Sequence, residues 1–257
     1  MYSSIRSFTY LDGKISSASS HLILETPLEI IINEEMSTLI MFTPDMTREL
    51  VTGFVFTEGF IDKISDIQEC TISSIGGEDG EELIEARVTI PSETSMMTAT
   101  KSICGKDNYY DLKKGLGRVK SKYRFSMEVL GRVPKRLEES QRLYKKTGGA
   151  HAAVLLNSAG NLLVCSEDMG RHNAVDKVIG AALMQKLPFQ DKIMVTSGRA
   201  SLEMILKTAR AGIPVFVAMS RPTSRAVEAA KFYNITLLDM ARDSNRIYSH
   251  VRRIEGF

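Results

Sequence analysis

The sequence predicts an α/β protein, α+β overall, in which a β-rich N-terminal part precedes a three-layer α/β domain. Three observations lead there. From His151 onward, short apolar runs and amphipathic stretches take turns, strand then helix, the rhythm of a sheet covered by helices. Before residue 91 the apolar runs are instead short, β-branched and separated by turn residues. Finally, 257 residues that are 43% hydrophobic and 25% charged supply a core for one large or two modest domains. The expected division is 1–125 for the β-rich part, with one helix and a cysteine-bearing loop, and 126–257 for the α/β domain.

In the N-terminal part, segments 28–32 and 38–42 flank Asn33, Glu34 and Glu35 as a hairpin. Segment 83–90 alternates apolar and polar residues (Ile84, Ala86, Val88, Ile90), as a half-buried strand does. Between them Thr43-Pro44 reads as a helix start, with threonine at the N-cap and proline at the first helical position. Leu50, Val51, Phe54 and Val55 then fall on one face. Segment 95–117 is polar, glycine-containing and aperiodic, a long loop of the kind that is usually functional or disordered. One helix is expected over 134–146, basic at its end and stopped by Gly148. Segments 152–156 and 162–166 make a hairpin about the turn 157–161. Helices over 173–185, 200–211 and 223–232 then alternate with strands over 193–196, 215–219 and 235–238. Such alternation implies right-handed crossovers in a mostly parallel sheet.

Composition narrows the function. With 33 basic and 31 acidic side chains the formal net charge is +2, against a dedicated nucleic-acid binder. No apolar run approaches the roughly 18 residues of a membrane span, and residues 1–20 lack the apolar stretch of a secretory signal. Three cysteines, Cys70, Cys104 and Cys165, cannot complete a disulfide framework, so a reduced, cytoplasmic location is expected. There is no C-x-x-C, no H-E-x-x-H and no zinc-deaminase signature, so no metal site is expected. Nor is there a G-x-S-x-G of a serine hydrolase.

Ligands of open α/β sheets collect at the carboxyl ends of strands, where helix N-termini present free amides. Two segments sit at such ends. Ser197-Gly198-Arg199 follows a strand and is read as opening a helix: the glycine lets a ligand approach, and the arginine suits a phosphate. Taken alone it is equally a tight turn with a solvated arginine. Glu167-Asp168-Met169-Gly170-Arg171-His172-Asn173 lies between a strand and a helix. Asp168 or Asn173 would cap that helix, but Arg171 and His172 together oppose its dipole unless an anion is bound there. This points to a ligand site. Thr147-Gly148-Gly149-Ala150-His151 offers two glycines for an anion-holding concavity, or a plain C-cap turn with a buried histidine. Cys70 and Cys165 lie in apolar, strand-like patterns and read as packing. Cys104, in Lys101-Ser102-Ile103-Cys104-Gly105-Lys106, has cations on both sides that favour a reactive thiolate.

Taken together the segments resemble the FdhD family over residues 25–248. The resemblance rests on Glu25-Thr26-Pro27-Leu28-Glu29-Ile30, Gly53-Phe54-Val55-Phe56-Thr57-Glu58-Gly59, Ser102-Ile103-Cys104-Gly105 and Thr147-Gly148-Gly149-Ala150-His151-Ala152-Ala153. It continues through the eleven residues from Glu167 to Lys177, then Ser197-Gly198-Arg199-Ala200-Ser201 and Ala211-Gly212-Ile213-Pro214-Val215. It implies a sulfur carrier that takes persulfide sulfur from a cysteine desulfurase on Cys104. The sulfur passes to the molybdenum bis(molybdopterin guanine dinucleotide) cofactor, held as cargo, before its insertion into formate dehydrogenase. It also implies a homodimer and a C-terminal domain similar to the cytidine deaminase fold without its zinc. Met240, Ala241, Arg242, Asp243, Ser244 and Asn245 match the segment that holds the guanine dinucleotide. Gly148, Gly149, His151, Asp168, Arg171, His172, Asn173, Ser197, Gly198 and Arg199 complete that site, with Asp168 or Asn173 reading a guanine edge. Two departures stand out. Many members carry a second cysteine three residues after the first, where this chain has Asp107, and the 240–248 segment aligns only with a one-residue deletion. The alternative function is a chaperone that delivers the cofactor without moving sulfur; a degenerate deaminase-like nucleotide hydrolase lacks any visible activator.

Overall fold

The computed structural model describes residues 1–76, 82–91, 116–241 and 244–257. It opens with a hairpin absent from the sequence expectation: β1 (Tyr2–Leu11) and β2 (Lys14–Ile23) pair antiparallel from Tyr2↔Ile23 to Leu11↔Lys14. Asp12 and Gly13 both take positive φ, 50° and 77°, the two-residue turn that matches strand twist. The hairpin is exposed on both sides, so its strands carry no alternation to betray them.

A four-stranded sheet follows, ordered β4-β3-β6-β5, from β3 (Thr26–Ile32), β4 (Met36–Phe42), β5 (Glu69–Gly76) and β6 (Glu82–Thr89). The expected β3–β4 hairpin is present, and β6 joins it in parallel. Thr26, Leu28, Ile30 and Ile32 alternate inward. The expected helix exists as α1 (Thr47–Thr57), but Thr43-Pro44 does not start it; Met46 is the N-cap, left-handed and without a side-chain cap. Thr43 is buried and its polar groups are committed elsewhere: the amide to Asp168, the carbonyl to Lys177 and the hydroxyl to the Met169 amide. Of the expected loop over 95–117, residues 95–115, Cys104 among them, lie outside the described residues.

The single helix expected over 134–146 is two. Ser126 caps α2 (Met127–Ser140), accepting the Glu128 amide, and Pro134 lies inside it. At Gln141 the backbone leaves the helix (ψ 83°), and α3 (Arg142–Thr147) begins because Glu167 accepts the amides of Arg142, Leu143 and Tyr144 at 2.7, 2.6 and 2.8 Å. It stops at Gly148, φ 68°, as expected.

The six-stranded sheet runs β12-β11-β10-β9-β7-β8, from β7 (His151–Leu156), β8 (Leu162–Asp168), β9 (Ile193–Arg199), β10 (Val215–Ser220), β11 (Thr236–Asp239) and β12 (Arg246–Ile247). It is mixed rather than mostly parallel: β9–β10 and β10–β11 are parallel, while β7–β8, β7–β9 and β11–β12 are antiparallel. The tight β7–β8 turn leaves β8 at the edge, and the crossover through α4 (Arg171–Met184) returns β9 to the far side of β7. A second correction concerns Ser197-Gly198-Arg199, which finish β9; α5 (Leu202–Ala211) starts after them, N-capped by Ser201. With α6 (Ser224–Tyr233) the helices fall close to where they were expected.

One face of this sheet packs on α2, through Phe125, Leu130, Val133 and Leu137 against Val154, Val195 and Val217. The other face packs on α4, α5 and α6 in a core that continues into α1 and the four-stranded sheet. Helices α1 and α4 touch backbone to backbone: a Cβ on Gly180 would lie 1.9 Å from the Glu49 carbonyl oxygen, and one on Gly53 1.9 Å from that of Asp176. Buried Lys207 joins three helices there, reaching Thr57, Glu58 and Asp176 at 2.8–2.9 Å.

Candidate functional site

One edge of the six-stranded sheet collects the start of β7 and the ends of β8 to β11, and α4 and α5 begin there without side-chain caps. The first-turn amides of α4 therefore lack a side-chain cap, whereas at α5 the Glu203 carboxylate sits on the first turn.

Asp168, at the end of β8, organises this edge from beneath. It is fully buried, pairs with equally buried Lys177 at 2.6 Å, and accepts the amides of Thr43 (3.1 Å) and Gly170 (2.8 Å) and the side chain of Asn173 (2.9 Å). Asn173 also donates to the Met41 carbonyl at 2.8 Å. Burying such a pair is tolerable only because every lone pair is met. The expected guanine-edge role therefore does not fit Asp168: its oxygens are occupied and it faces no solvent. Its action is to fix the turn from which Arg171 and His172 project.

Above it the predicted residues converge. His151 pairs with Asp168 across β7–β8. Ser197 Oγ accepts the Ala152 amide at 2.9 Å and lies 3.5 Å from His151 Nδ1. A Cβ on Gly198 would lie 3.4 Å from Arg171 Cδ and 3.6 Å from His151 Nδ1, so arginine, histidine and glycine are mutual neighbours. Burial pushes the His151 imidazole below its ordinary value, and Arg171 and His172 push the same way against Asp168. His172 Nε2 is 3.9 Å from Glu203 Oε2, and the Glu203 carboxyl is held down to about 2, chiefly by His172.

The edge is not saturated. Arg171 Nε is a buried atom with no hydrogen-bond partner, as are Ser244 Oγ and Asp239 Oδ1 where β11 ends; His172 Nε2 and Ser201 Oγ are buried too and face only the Glu203 carboxylate, beyond good hydrogen-bond geometry. Orphans of this kind are costly and concentrate where something else completes them. Arg199 is exposed at the end of β9. Met240 and Ala241 are partly buried and Asn245 is exposed, while Arg242 and Asp243 lie outside the described residues. The two glycines stand apart. Gly148 is the C-cap of α3, and the Gly149 amide already donates to Thr147 Oγ1 at 3.2 Å, with Ile23 of β2 against its α-carbon. Gly148 is thus a C-cap, while His151 after it is half-buried rather than buried.

Sequence reasoning missed Thr43, Lys177, Ser201, Glu203, Asp239 and Tyr248. Tyr248 donates to Asp239 Oδ2 at 2.5 Å, which leaves Oδ1 free. These are single polar residues in apolar surroundings, and only the clustering of unlike elements reveals them. Cys70 and Cys165 are half-buried on β5 and β8; burial raises both thiols, Cys165 to about 11, so both are packing thiols. A cavity of about 870 Å³ beside Cys165 opens between the N-terminal hairpin, α2, α3 and β8 and reaches Glu167. Among the described residues no group of His, Cys, Asp and Glu could hold a metal, and no helix is long and apolar enough to cross a membrane.

Fold and edge together define a mixed α/β protein with an unsaturated, cation-bearing sheet edge suited to an anion. The FdhD/NarQ family model matches residues 23–255. The chain belongs to the FdhD/NarQ family. It is 35% identical over 250 residues to a sulfur carrier protein FdhD from Sulfolobus acidocaldarius, covering 95% of each chain. To one from Sulfurisphaera tokodaii it is 37% identical over 239 residues, covering 90% of each. It superposes with a TM-score of 0.77 and 26% identity on the crystal structure of a protein described as a formate dehydrogenase accessory protein from Desulfotalea psychrophila, covering 98% of this chain and 99% of that one.

Proposed function

We propose that this chain is a cytoplasmic sulfur carrier serving formate dehydrogenase. Cys104 accepts sulfur from a cysteine desulfurase and passes it to the molybdenum bis(molybdopterin guanine dinucleotide) cofactor, bound as substrate at the unsaturated sheet edge of a homodimer. Loading is a thiol–persulfide exchange. The Cys104 thiolate attacks the outer sulfur of the donor persulfide, the donor's S–S bond breaks, and the donor cysteine leaves as thiolate. One S–S bond forms as another breaks, with no external oxidant. On delivery the Cys104 S–S bond breaks, the outer sulfur leaves at the sulfide level, Cys104 returns as thiolate, and cellular thiols supply the two electrons by becoming a disulfide.

The observation that carries the reading is the orphaned, buried Nε of Arg171, beside His172, at the uncapped N-terminus of α4. A dinucleotide's phosphates supply acceptors for the Arg171 and His172 side chains, and α4 supplies amides. With Cys70 and Cys165 committed to packing, Cys104 is the cysteine left for chemistry.

The test is mass spectrometry of the protein after incubation with a desulfurase and cysteine, with complementation of a null strain. Gain of about 32 Da on Cys104, one sulfur atom, and loss of formate dehydrogenase activity in Cys104→Ala support the carrier. A chaperone that delivers the cofactor without sulfur, the alternative that Asp107 in place of a second cysteine favours, predicts no adduct and full rescue by Cys104→Ala.

A further inference from the structure

Residues 116–125 lead out of the Cys104 segment and lie along the opposite edge of the six-stranded sheet. Val119 is buried, its amide donating to the Tyr233 carbonyl at 2.9 Å and its carbonyl accepting from Asn234 at 2.7 Å, where α6 passes into β11. Ser121 donates to the Gln190 carbonyl at 2.5 Å, just before β9. Phe125 is buried and bridges in parallel to Ile254. Fastened at these odd-numbered positions, the segment carries cations at the even ones: Arg118, Lys120, Lys122 and Arg124. Arg124 is engaged by the backbone oxygens of Ile254 and Phe257. Arg118, Lys120 and Lys122 are exposed, as is Arg252 next to them.

Clefts flank the segment on both sides. One, of about 740 Å³, is lined by Lys122, Arg124, His250, Arg252 and Arg253, and among the described residues no carboxylate lines it. The other, of about 320 Å³, holds Arg118, Lys120 and Arg210, with one acid, Asp62, already paired to Arg210 at 3.0 Å. In a chain of net charge +2 this is a local excess of positive charge rather than a share of a basic whole.

We infer that this basic strap, Arg118, Lys120 and Lys122 with Arg252, is the docking surface for an acidic, extended segment of the protein that donates sulfur to Cys104. The inference rests on the carrier reading above. Two features choose this partner. Three cations repeated every second residue over about 13 Å, at roughly 3.3 Å per residue, with Arg252 beside them, exceed one small anion and match an extended peptide with acids at alternate positions. The strap lies at the amino ends of β9 to β11, across the sheet from the unsaturated edge, so the donor docks without contending with the cofactor. A single-stranded nucleic acid would call for interleaved stacking aromatics, and in 116–125 only Tyr123 is exposed, Phe125 being buried.

The test compares two routes of loading Cys104 in the full-length protein. In the triple variant Arg118→Glu/Lys120→Glu/Lys122→Glu, the initial rate of persulfide formation from desulfurase and cysteine falls at least tenfold, while loading by sodium polysulfide, which needs no docking, stays at the wild-type rate. The neutral variant Lys120→Gln/Lys122→Gln falls by a smaller factor in the same direction. A fluorescent twelve-residue peptide of alternating Glu and Ala binds the wild type and not the triple variant. Equal desulfurase-driven rates in wild type and triple variant would overturn the inference and leave the carrier reading standing. Failure of both donors to load wild-type Cys104 would remove both. Tighter binding of a twelve-nucleotide single-stranded DNA than of the peptide, lost in the triple variant, would also overturn it.

Discussion

The two edges of the six-stranded sheet both gather cations, and the difference lies in what holds them. At the carboxyl edge Arg171 and His172 project from the first turn of α4, half-buried, beside a fully buried Asp168–Lys177 pair, and Arg171 Nε lacks a hydrogen-bond partner. At the amino edge Arg118, Lys120, Lys122 and Arg252 stand in solvent on backbone tied down between them. Cations with a rigid floor and missing hydrogen bonds describe a site that closes around one ligand of fixed shape. Cations on an exposed, repeating segment describe a surface that meets a partner mainly through charge, with the screening that this entails.

The comparison breaks most severely at the floor of the carboxyl edge. Lys177→Met leaves Asp168 buried and unpaired, which costs about 3–5 kcal/mol. At roughly 2–4 °C per kcal/mol for a chain of this size, scanning calorimetry should show a drop of about 6–20 °C in Tm, with GDP binding lost as the 168–173 turn loosens. An unchanged Tm would mean the pair fixes nothing. Next, Arg171→Ala should weaken GDP, the probe for the dinucleotide, by at least about tenfold in titration calorimetry, equivalent to about 1.4 kcal/mol. Arg252→Ala, at the other edge, should leave GDP affinity within about twofold. Equal losses from the two would erase the distinction between the edges.

Salt sharpens it. Raising ionic strength from about 50 to about 300 mM shortens the Debye length from roughly 14 to roughly 6 Å. The rate of desulfurase-driven loading should therefore fall severalfold, and GDP affinity at the partly buried edge should fall less. The smallest effect concerns Glu203. Its carboxyl is depressed from the ordinary 4.5 to about 2 in the fold, so its contribution to stability is complete above pH 4.5 and is lost as pH falls toward 2. Glu203→Gln should give a shallower loss of stability than wild type across that window in acid titrations followed by circular dichroism.

Much of the fold was legible because burial imposes a period. β3 alternates inward, and the helices on the large sheet carry apolar faces against its buried strands. What was not legible depends on partners distant in sequence. The mixed order of the large sheet follows from β9 returning beside β7, which no local pattern encodes. Thr43-Pro44 has the residues of a helix start, but Asp168, Met169 and Lys177 claim the threonine's hydrogen bonds. Helix α3 owes its beginning to Glu167, more than 20 residues further on. The N-terminal hairpin did leave one signal, Asp12-Gly13, whose positive-φ turn is a strong short-range mark of paired strands. At the site, the 167–173 and 197–199 segments were visible as unusual polar residues at strand ends, and they do converge. Their inner and outer roles were not visible: Asp168 reads as a ligand contact in sequence and is an anchor in the fold.

Whether Cys104 alone takes up sulfur is read by intact-mass and peptide-level mass spectrometry of protein incubated with a desulfurase and cysteine. A carrier gains about 32 Da on the Cys104 peptide, with no gain on the Cys70 and Cys165 peptides and loss of the adduct to a reducing thiol. Unmodified Cys104 under conditions in which the desulfurase itself is persulfidated would contradict the carrier role.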